Sequence, residues 1–234
     1  MINLVNDTID KNDIDSLISW LKTYPRLTKG PITKDLEQQF ANHNNSKYAV
    51  FCNSGSSANL LTLAALRLRY PEGGEVIVPP LGWVSDIAAV MHCGFTPVFV
   101  DIDLHHLGMD TKQIISALNE NTRAVLLTHV QGFNALSEEL FFKLKERNIV
   151  LIEDVCESHG ATYLGKKLGN FGWASNFSFF YAHHMSTIEG GMLCTNDPDL
   201  YQTFRMLRSH GMVRESSSQE LKQQYLEQCP DLNP

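Results

Sequence analysis

Short apolar runs alternate with amphipathic stretches from residue 47 onward, and this alternation constrains the fold more than any other feature of the sequence. We interpret the apolar runs as buried strands, which lie at 48–52, 75–78, 97–100, 124–128, 150–153, 176–179 and 192–195. Helical patterns fill most of the gaps, at 56–69, 83–92, 111–118, 137–147 and 198–209. Parallel strands need crossover connections, which are usually helices. The pattern therefore predicts an α/β fold in which a mostly parallel seven-stranded sheet lies between helices.

The last two predicted strands depart from this pattern because the connection between them is short. It contains Glu189-Gly190-Gly191, a typical turn sequence, and leaves no room for a crossover helix. This spacing favours an antiparallel pairing of the last two strands.

The chain of 234 residues, 43% of them apolar, is long enough for one large domain or two small ones. We divide it into three segments. Residues 1–45 are predicted to be an N-terminal helical segment, with helices at 13–22 and 33–41. Residues 46–214 are predicted to form the large α/β domain. Residues 215–234 are predicted to be a polar, truncated tail.

Charge and cysteine content argue against several classes of protein. The net charge is -7 and no block of like charge stands out, so neither a nucleic acid nor a membrane surface is an expected partner. No apolar run approaches the ~20 residues that a bilayer requires, and the first residues do not have the pattern of a leader. The cysteines are odd in number and scattered, which favours the reducing cytoplasm over a disulfide framework or a zinc site: Cys52, Cys93, Cys156, Cys194 and Cys229.

The first strand-to-helix turn, Asn53-Ser54-Gly55-Ser56-Ser57, is a candidate anion site. Gly55 permits close backbone approach, a helix N-terminus attracts an anion, and the hydroxyls of Ser56 and Ser57 add donors. An ordinary serine N-cap explains the turn equally well. The turn matches neither G-x-G-x-x-G nor G-x-x-x-x-G-K-[ST], which disfavours dinucleotide and nucleoside triphosphate sites.

Three further strand ends carry residues that suit a flat, charged ligand. Asp154 follows a buried strand, where a carboxylate can hold a proton of a heterocycle, ligate a metal or cap a helix. Trp83 follows another, where its ring can stack on a ligand or pack in the core. His183 and His184 follow the 176–179 strand, and such a pair alone is a metal site, a general base or part of an exposed loop. Because parallel strands share one carboxyl edge, these residues together predict a site for a phosphorylated heterocycle.

Taken together, these segments resemble the DegT/DnrJ/EryC1/StrS family of sugar aminotransferases, which are fold-type I enzymes that use pyridoxal 5'-phosphate (PLP). The likeness covers nearly the whole chain and rests on the motifs Leu27-Thr28-Lys29-Gly30, Ser54-Gly55-Ser56-Ser57-Ala58-Asn59, Val78-Pro79, Phe99-Val100-Asp101-Ile102, Glu153-Asp154, Gly160-Ala161, Ser178-Phe179-Phe180, Glu189-Gly190-Gly191 and His210-Gly211. The resemblance implies that 46–214 is the PLP-binding large domain of fold type I. Family members continue into a small C-terminal domain, which this chain does not reach.

One position departs from the aminotransferases of the family. They carry a lysine five residues after the Ser178 equivalent, and that lysine holds the cofactor covalently. Here the residue is His183, which resembles the dehydratase branch, and the GDP-sugar enzymes of that branch above all. The related CDP-sugar enzymes add a cysteine-rich iron–sulfur segment. Residues 212–228 contain no cysteine, so the CDP-sugar enzymes are the less similar group.

The resemblance implies a role for each candidate site residue. The cofactor is PLP or its pyridoxamine form (PMP). The residues implied to bind it are Gly55, Ser56 and Ser178 at the phosphate, Trp83 at the ring face, Asp154 at the pyridine nitrogen and Glu157 nearby. Those implied at the reactants are His210 at the glutamate amino donor, and Arg214, Leu27, Thr28, Lys29 and Gly30 at the nucleotide sugar. Histidine forms no Schiff base, so the cofactor would be held without a covalent bond and His183 would serve as the acid/base.

The implied reaction removes the C3 hydroxyl of a 4-keto-6-deoxy nucleotide sugar, releases ammonia and uses glutamate to regenerate PMP. Such chemistry belongs to deoxysugar and surface-polysaccharide biosynthesis, including the O-antigen of lipopolysaccharide. The implied assembly is a homodimer, because family members complete each site with residues of the neighbouring subunit.

Three alternatives stay open at this point. An ordinary sugar aminotransferase is disfavoured because residue 183 is not lysine. Lys166 and Lys167 are predicted to form a solvated turn and not to replace that lysine. A non-catalytic cofactor-binding domain is the second alternative. A metal-dependent hydrolase that uses His183, His184 and Asp154 is the third, and since H-x-H and H-x-x-x-H spacings are absent, no metal is expected.

Overall fold

A computed structural model of the chain describes residues 8–228. Residues 1–7 and 229–234 lie outside the described part. The ends of the predicted N-terminal segment and polar tail therefore lie outside it, as does Cys229.

The nine strands found within residues 8–228 form a seven-stranded sheet and a small hairpin. The strands are β1 (Tyr48–Cys52), β2 (Glu75–Val78), β3 (Thr96–Phe99), β4 (Thr122–Thr128), β5 (Val150–Asp154), β6 (Thr162–Tyr163), β7 (Lys166–Lys167), β8 (Ala174–Ser178) and β9 (Gly191–Thr195). The order in the large sheet is β1-β9-β8-β5-β4-β2-β3. Strand β9 runs antiparallel to both of its neighbours, and all other adjacent pairs are parallel. The predicted mostly parallel sheet and the antiparallel last pair are confirmed.

Eight α-helices are described, and seven of them correspond to the predicted ones within a few residues. They are α1 (Lys11–Leu21), α2 (Pro31–Asn44), α3 (Gly55–Arg69), α4 (Val84–His92), α5 (Thr111–Ala117), α6 (Glu138–Glu146), α7 (Pro198–Leu207) and α8 (Gln219–Gln228). Helices α3, α5, α6 and α7 each begin after a side chain that accepts a hydrogen bond from a first-turn amide. The residues that do this are Ser54, Asp110, Ser137 and Asp197.

Two local expectations differ from the structure. The polar segment predicted as a truncated tail contains helix α8, whose start is supported by the Ser218 hydroxyl accepting from the Leu221 amide at 3.1 Å. Only three of the ten α8 residues are apolar, Leu221, Tyr225 and Leu226, and this is a weak sequence pattern for a helix. Lys166 and Lys167, expected in a solvated turn, form strand β7 and pair with β6, while Gly165 with φ +75° makes the turn.

Helices cover both faces of the sheet, and successive residues of each strand pack against opposite layers. In β2, Ile77 joins the apolar cluster under α2, α5 and α6, while Val76 and Val78 join the cluster under α3 and α4. A third cluster, which includes Phe204, packs α3 and α7 against β1 and β9. Polar side chains at the carboxyl ends of the strands are therefore held by a rigid frame. Within residues 8–228, no helix is both long and apolar enough to cross a membrane.

Candidate active site

The N-terminus of α3 and the end of β8 form a small concave surface. Ser54 accepts a hydrogen bond from the Ser57 amide at 3.0 Å, so the serine N-cap considered from the sequence is present. Gly55 is buried, and a Cβ there would lie 2.7 Å from the Cβ of Ser178 and 2.9 Å from the Sγ of Cys156. Only glycine permits this approach. Gly55, Ser178 and the exposed Ser56 form what we call the anion cup, because first-turn amides of a helix attract negative charge.

A buried hydrogen-bond network lies beside the cup at the carboxyl edge of the sheet. Asp154 ends β5 and accepts hydrogen bonds from the Cys156 amide and the Asn59 side chain, both at 2.9 Å. Asn59 lies on α3, and its side-chain nitrogen also donates to Asp86 on α4 at 2.6 Å. Its oxygen accepts from the side chain of Asn176, on β8, at 2.7 Å. We call Asn59, Asp86, Asp154 and Asn176 the site floor; all four are buried.

The environment of Asp86 disfavours its ionised form. Burial, and then the neighbouring Asp154, raise the pKa of Asp86 well above its usual range. A hydrogen bond from the Thr128 hydroxyl at 2.7 Å lowers the pKa of Asp86, but burial and Asp154 raise it by more.

The two adjacent acids at the end of β5 point to opposite sides of the sheet. The carboxylate of Glu153 accepts from the amides of Gly169, Phe171 and Gly172 at 2.8, 2.7 and 2.7 Å, and contacts His129 Nε2 at 3.1 Å. Burial raises the pKa of Glu153, but the hydrogen bond and charge of His129 and the backbone amides bring it below its usual value. Glu153 thus holds the loop before β8 in place, while Asp154 faces the site.

Three partly or largely exposed residues surround the floor, and we call Trp83, Glu157 and His183 the site rim. Trp83 precedes α4 and is 68% exposed, so its ring is free to contact a ligand. His183 follows β8 and is half-buried. Burial lowers the pKa of His183, and the negative charges of Glu157 and Asp154 oppose this effect without cancelling it. A histidine that is neutral near pH 7 is able to accept a proton.

His159 lies next to the loop that carries His183 and His184. The rings of His159 and His184 stack with centroids 5.8 Å apart, and His159 also contacts Phe177 edge to face at 5.4 Å. Burial, then the nearby His184 and His183, lower the pKa of His159 to about 4. Both of its ring nitrogens lack a hydrogen-bond partner among the described residues. His159 therefore supports the loop as an aromatic ring and stays neutral.

The residues predicted at the nucleotide sugar come together at a separate exposed surface. Lys29, in the loop between α1 and α2, forms an ion pair with Glu215. Glu215 also lies 3.8 Å from the Nε of Arg214. A cavity of about 430 Å³ beside this surface is lined by Lys29 and by Asn53 and Ser57 at the start of α3. The predicted substrate residues are thus joined to the helix that forms the anion cup.

The remaining predicted residues of this group lie in the same loops. Leu27 is 72% exposed and precedes Thr28, and Gly30 is the N-cap of α2. His210, predicted at the glutamate donor, is exposed and has φ +63° in the turn after α7. A positive φ is uncommon for a residue with a side chain, so His210 marks a tight turn of the backbone.

Sequence reasoning missed most of the floor. Asn59 lies on the buried face of α3 beside Ala58 and Leu63, and Asn176 lies in a fully buried strand. Polar residues at such positions need partners, and that is the signal by which they could have been found. Asp86 follows Trp83 by three residues with no motif to mark it. Within residues 8–228, no group of three or more His, Cys, Asp or Glu side chains is placed to hold a metal ion.

The site can now be compared with known proteins. Residues 7–228 match the description "DegT/DnrJ/EryC1/StrS aminotransferase family". The chain belongs to this family. Within the family it is 38% identical, over 92% of its length, to a GDP-4-keto-6-deoxy-D-mannose 3-dehydratase of Escherichia coli, and it covers 56% of that relative. It is 34% identical, over 90% of its length, to a GDP-perosamine synthase of Caulobacter vibrioides, and again covers 56% of the relative.

Solved structures of the family have the same architecture. One, of GDP-4-keto-6-deoxymannose-3-dehydratase with a trapped PLP-glutamate geminal diamine, matches 97% of this chain and 62% of its own with a TM-score of 0.86 and 33% identity. The predicted large-domain fold of type I PLP enzymes is thereby confirmed. The chain spans about half the length of the curated family relatives it matches.

Proposed function

We propose that this chain is the cofactor-binding part of a PLP/PMP-dependent nucleotide-sugar 3-dehydratase. The observation that carries the proposal is His183, a half-buried histidine beside Asp154 and Glu157. In the resemblance drawn from the sequence, this is the position of the lysine that aminotransferases use. The relatives named as 3-dehydratases of GDP-4-keto-6-deoxymannose support the same reaction.

The residues present fit the cofactor. The anion cup offers Gly55, Ser56 and Ser178 for a phosphate, and the lack of a side chain at Gly55 is what lets the first turn of α3 lie against Ser178. Asp154 offers a buried carboxylate for a protonated ring nitrogen, and Trp83 an exposed ring for stacking. When bound, the cofactor supplies an electron sink for a carbanion. Cofactor binding by these residues, with Glu157 nearby, is part of the proposal.

His183 provides the proton transfer in this proposal. Its lowered pKa keeps the ring neutral near pH 7, ready to take a proton, and Glu157 and Asp154 stabilise the charged ring that results. His183 then returns the proton as the C3 hydroxyl departs as water. No lysine is needed for either step.

The reactants are assigned by chemistry and by similarity. Lys29 and Arg214, held near each other by Glu215, are cations suited to the phosphates of a nucleotide sugar, and Leu27, Thr28 and Gly30 line the same loop. We assign glutamate as the amino donor, with His210 at its carboxylate, since a relative was solved with PLP and glutamate joined. The four cysteines in the described part are free, which fits the cytoplasm.

Incubation with a panel of 4-keto-6-deoxy nucleotide sugars, PMP and glutamate tests the reaction. We expect a 3-deoxy sugar and ammonia, detected by mass analysis. An amino sugar would instead identify an aminotransferase. PLP that binds with no product from the panel would identify a non-catalytic domain.

The mode of cofactor binding has its own test. Borohydride reduction of the PLP complex, followed by peptide mapping, is expected to find no modified lysine, because His183 replaces it. A stoichiometric pyridoxyl-lysine, at Lys166, Lys167 or elsewhere, would overturn the proposal.

We also propose that residues 46–214 act as the large domain of a homodimer, with 1–45 contributing to the interface. Helix α1 buries none of its residues, and its apolar face of Ile14, Leu17, Ile18 and Leu21 stays about 40% exposed in one chain. Sedimentation velocity is expected to show a dimer, and Leu17→Asp a monomer. A wild-type monomer with full PLP affinity would contradict this assignment.

A further inference from the structure

Two carboxyl groups of the site floor share one hydrogen-bond donor. The side-chain nitrogen of Asn59 donates to Asp86 Oδ1 at 2.6 Å and to Asp154 Oδ2 at 2.9 Å. The side-chain nitrogen of Asn59, and not its oxygen, must face the two acids, because an amide oxygen in that place would face two other hydrogen-bond acceptors. The bond from Asn176 to the Asn59 oxygen fixes this orientation. Asp86 and Asp154 are thus held side by side by elements α3, α4 and β5.

In the described part of the chain no positively charged group acts on Asp86, and His183, which interacts with Asp154, has a lowered pKa and is neutral near pH 7. Asp86 is 2% exposed and Asp154 4%. The charged groups that act on Asp86 are Asp154 and Glu157, both acidic, and its other neighbour, Thr128 on β4, contributes only a hydroxyl. Two ionised carboxylates in this position would be desolvated and would repel each other. One proton shared by the pair removes both costs.

The hydrogen bonds decide which acid keeps that proton. Asp154 accepts from the Cys156 backbone amide, a donor that cannot rotate away, as well as from Asn59. Asp86 accepts from the Thr128 hydroxyl, which can turn and accept instead. The carboxylate form is therefore better supported at Asp154.

We propose that Asp86 is a positioning residue that retains a proton beside Asp154, so that the pair presents a single negative charge, located on Asp154, to the ring nitrogen of the bound cofactor. The part that concerns the cofactor rests on the proposed function. The protonated Asp86 itself does not, and is testable in the protein alone.

Infrared difference spectroscopy of the purified protein tests the proton directly. The wild type is expected to show the carbonyl stretch of a protonated carboxylic acid at neutral pH, and Asp86→Asn, which keeps the shape of the side chain, to lack it. Asp199→Asn, which removes an exposed carboxyl on α7, is the control and is expected to keep the band. Absence of the band in the wild type, or its persistence in folded Asp86→Asn, would overturn the proposal.

A second variant covers the case in which Asp86→Asn does not fold. In Asp154→Asn the acidic neighbour is gone, so the band is expected to disappear at lower pH than in the wild type. If the pH at which half of the band has disappeared is the same as in the wild type, the two acids do not interact and the pairing is overturned.

Saturation with PLP separates this inference from the proposed function. A positive ring nitrogen beside Asp154 is expected to lower the pH at which the Asp86 band disappears, because Asp86 is already buried and the added charge is the remaining effect. A protein with the band that binds no PLP contradicts the proposed function alone. A protein that binds PLP and never shows the band contradicts the inference alone. If PLP binds but does not change the pH at which half of the band has disappeared, the link between Asp86 and the cofactor is refuted.

Discussion

The floor and the rim of the site are built in different ways. Every floor side chain, Asn59, Asp86, Asp154 and Asn176, is buried and hydrogen-bonded to another member of the floor. The rim residues Trp83, Glu157 and His183 are exposed or half-buried. The floor is therefore set by the sheet and its helices, whereas the rim leaves its surface free for what binds there.

This difference predicts how substitutions in the floor and in the rim affect the protein. Changes in the floor remove hydrogen bonds inside a rigid core, so they act on stability as well as on binding. Changes in the rim act on chemistry or affinity and leave the fold intact. The variants below test this separation, beginning with the largest expected effect.

His183→Asn is expected to lower the rate of 3-deoxy sugar formation by ~100- to 10,000-fold while PLP binding persists, because it removes a positioned acid/base. Ammonia and product are measured, with cofactor occupancy checked by absorbance. His184→Asn, at the exposed neighbour, is the control and is expected to stay within a few-fold of wild type. If the His183 variant dehydrates nearly as fast as the wild type, the base lies elsewhere in the rim.

Asn59→Ala is expected to lower the free energy of unfolding by about 3 kcal/mol, since it leaves Asp86, Asp154 and Asn176 each short of a hydrogen bond. Denaturant titration measures the loss. The matched control is Asn42→Ala on the exposed face of α2, expected within about 0.5 kcal/mol of wild type. Equal effects at both sites would remove the distinction between floor and surface.

His159→Phe is expected to reduce the loss of stability in acid. The folded pKa of His159 is about 4, below the unfolded value of 6.5, so its contribution is present above pH 6.5 and is lost as the pH falls toward 4. This loss of stability is on the order of 3 kcal/mol. Phenylalanine keeps the ring contacts with Phe177 and His184 and does not titrate.

Unfolding curves of His159→Phe and wild type, collected from pH 7 to pH 4, provide the measurement. His105→Gln in an exposed turn is the control and is expected to keep the wild-type slope. Parallel curves for wild type and His159→Phe would show that His159 is solvated when charged.

Trp83→Ala is expected to have the smallest effect on folding, below about 0.5 kcal/mol, because the side chain is 68% exposed. The affinity for PLP is expected to fall by about 2- to 10-fold through loss of ring stacking. Leu104→Ala, at a residue 83% exposed, is the control for both measurements. A large loss of stability in Trp83→Ala would place this residue in the floor.

The sequence predicted those parts of the site that follow from strand ends and helix starts. Gly55 and Asp154 were found because each follows a strand of the expected sheet. Asp86 and Asn59 were missed because their partners come from other elements, and no local pattern records which faces will meet. Helix α8 was missed for a different reason: only three of its ten residues are apolar, which gives a weak periodicity to detect.

The pairing of β1 with β9 has a consequence for the order in which the protein is assembled during synthesis. Among the described strands, β1 is paired with β9 alone, and Gly191 at the start of β9 packs against the backbone of Ser54. On the ribosome, β1 has no sheet partner until residues 191–195 have emerged. The strands from β2 to β5 pair earlier, through shorter loops. The N-terminal end of α3, which forms the anion cup, is therefore expected to be completed last, and a nascent chain that stops before β9 is expected not to hold a ligand.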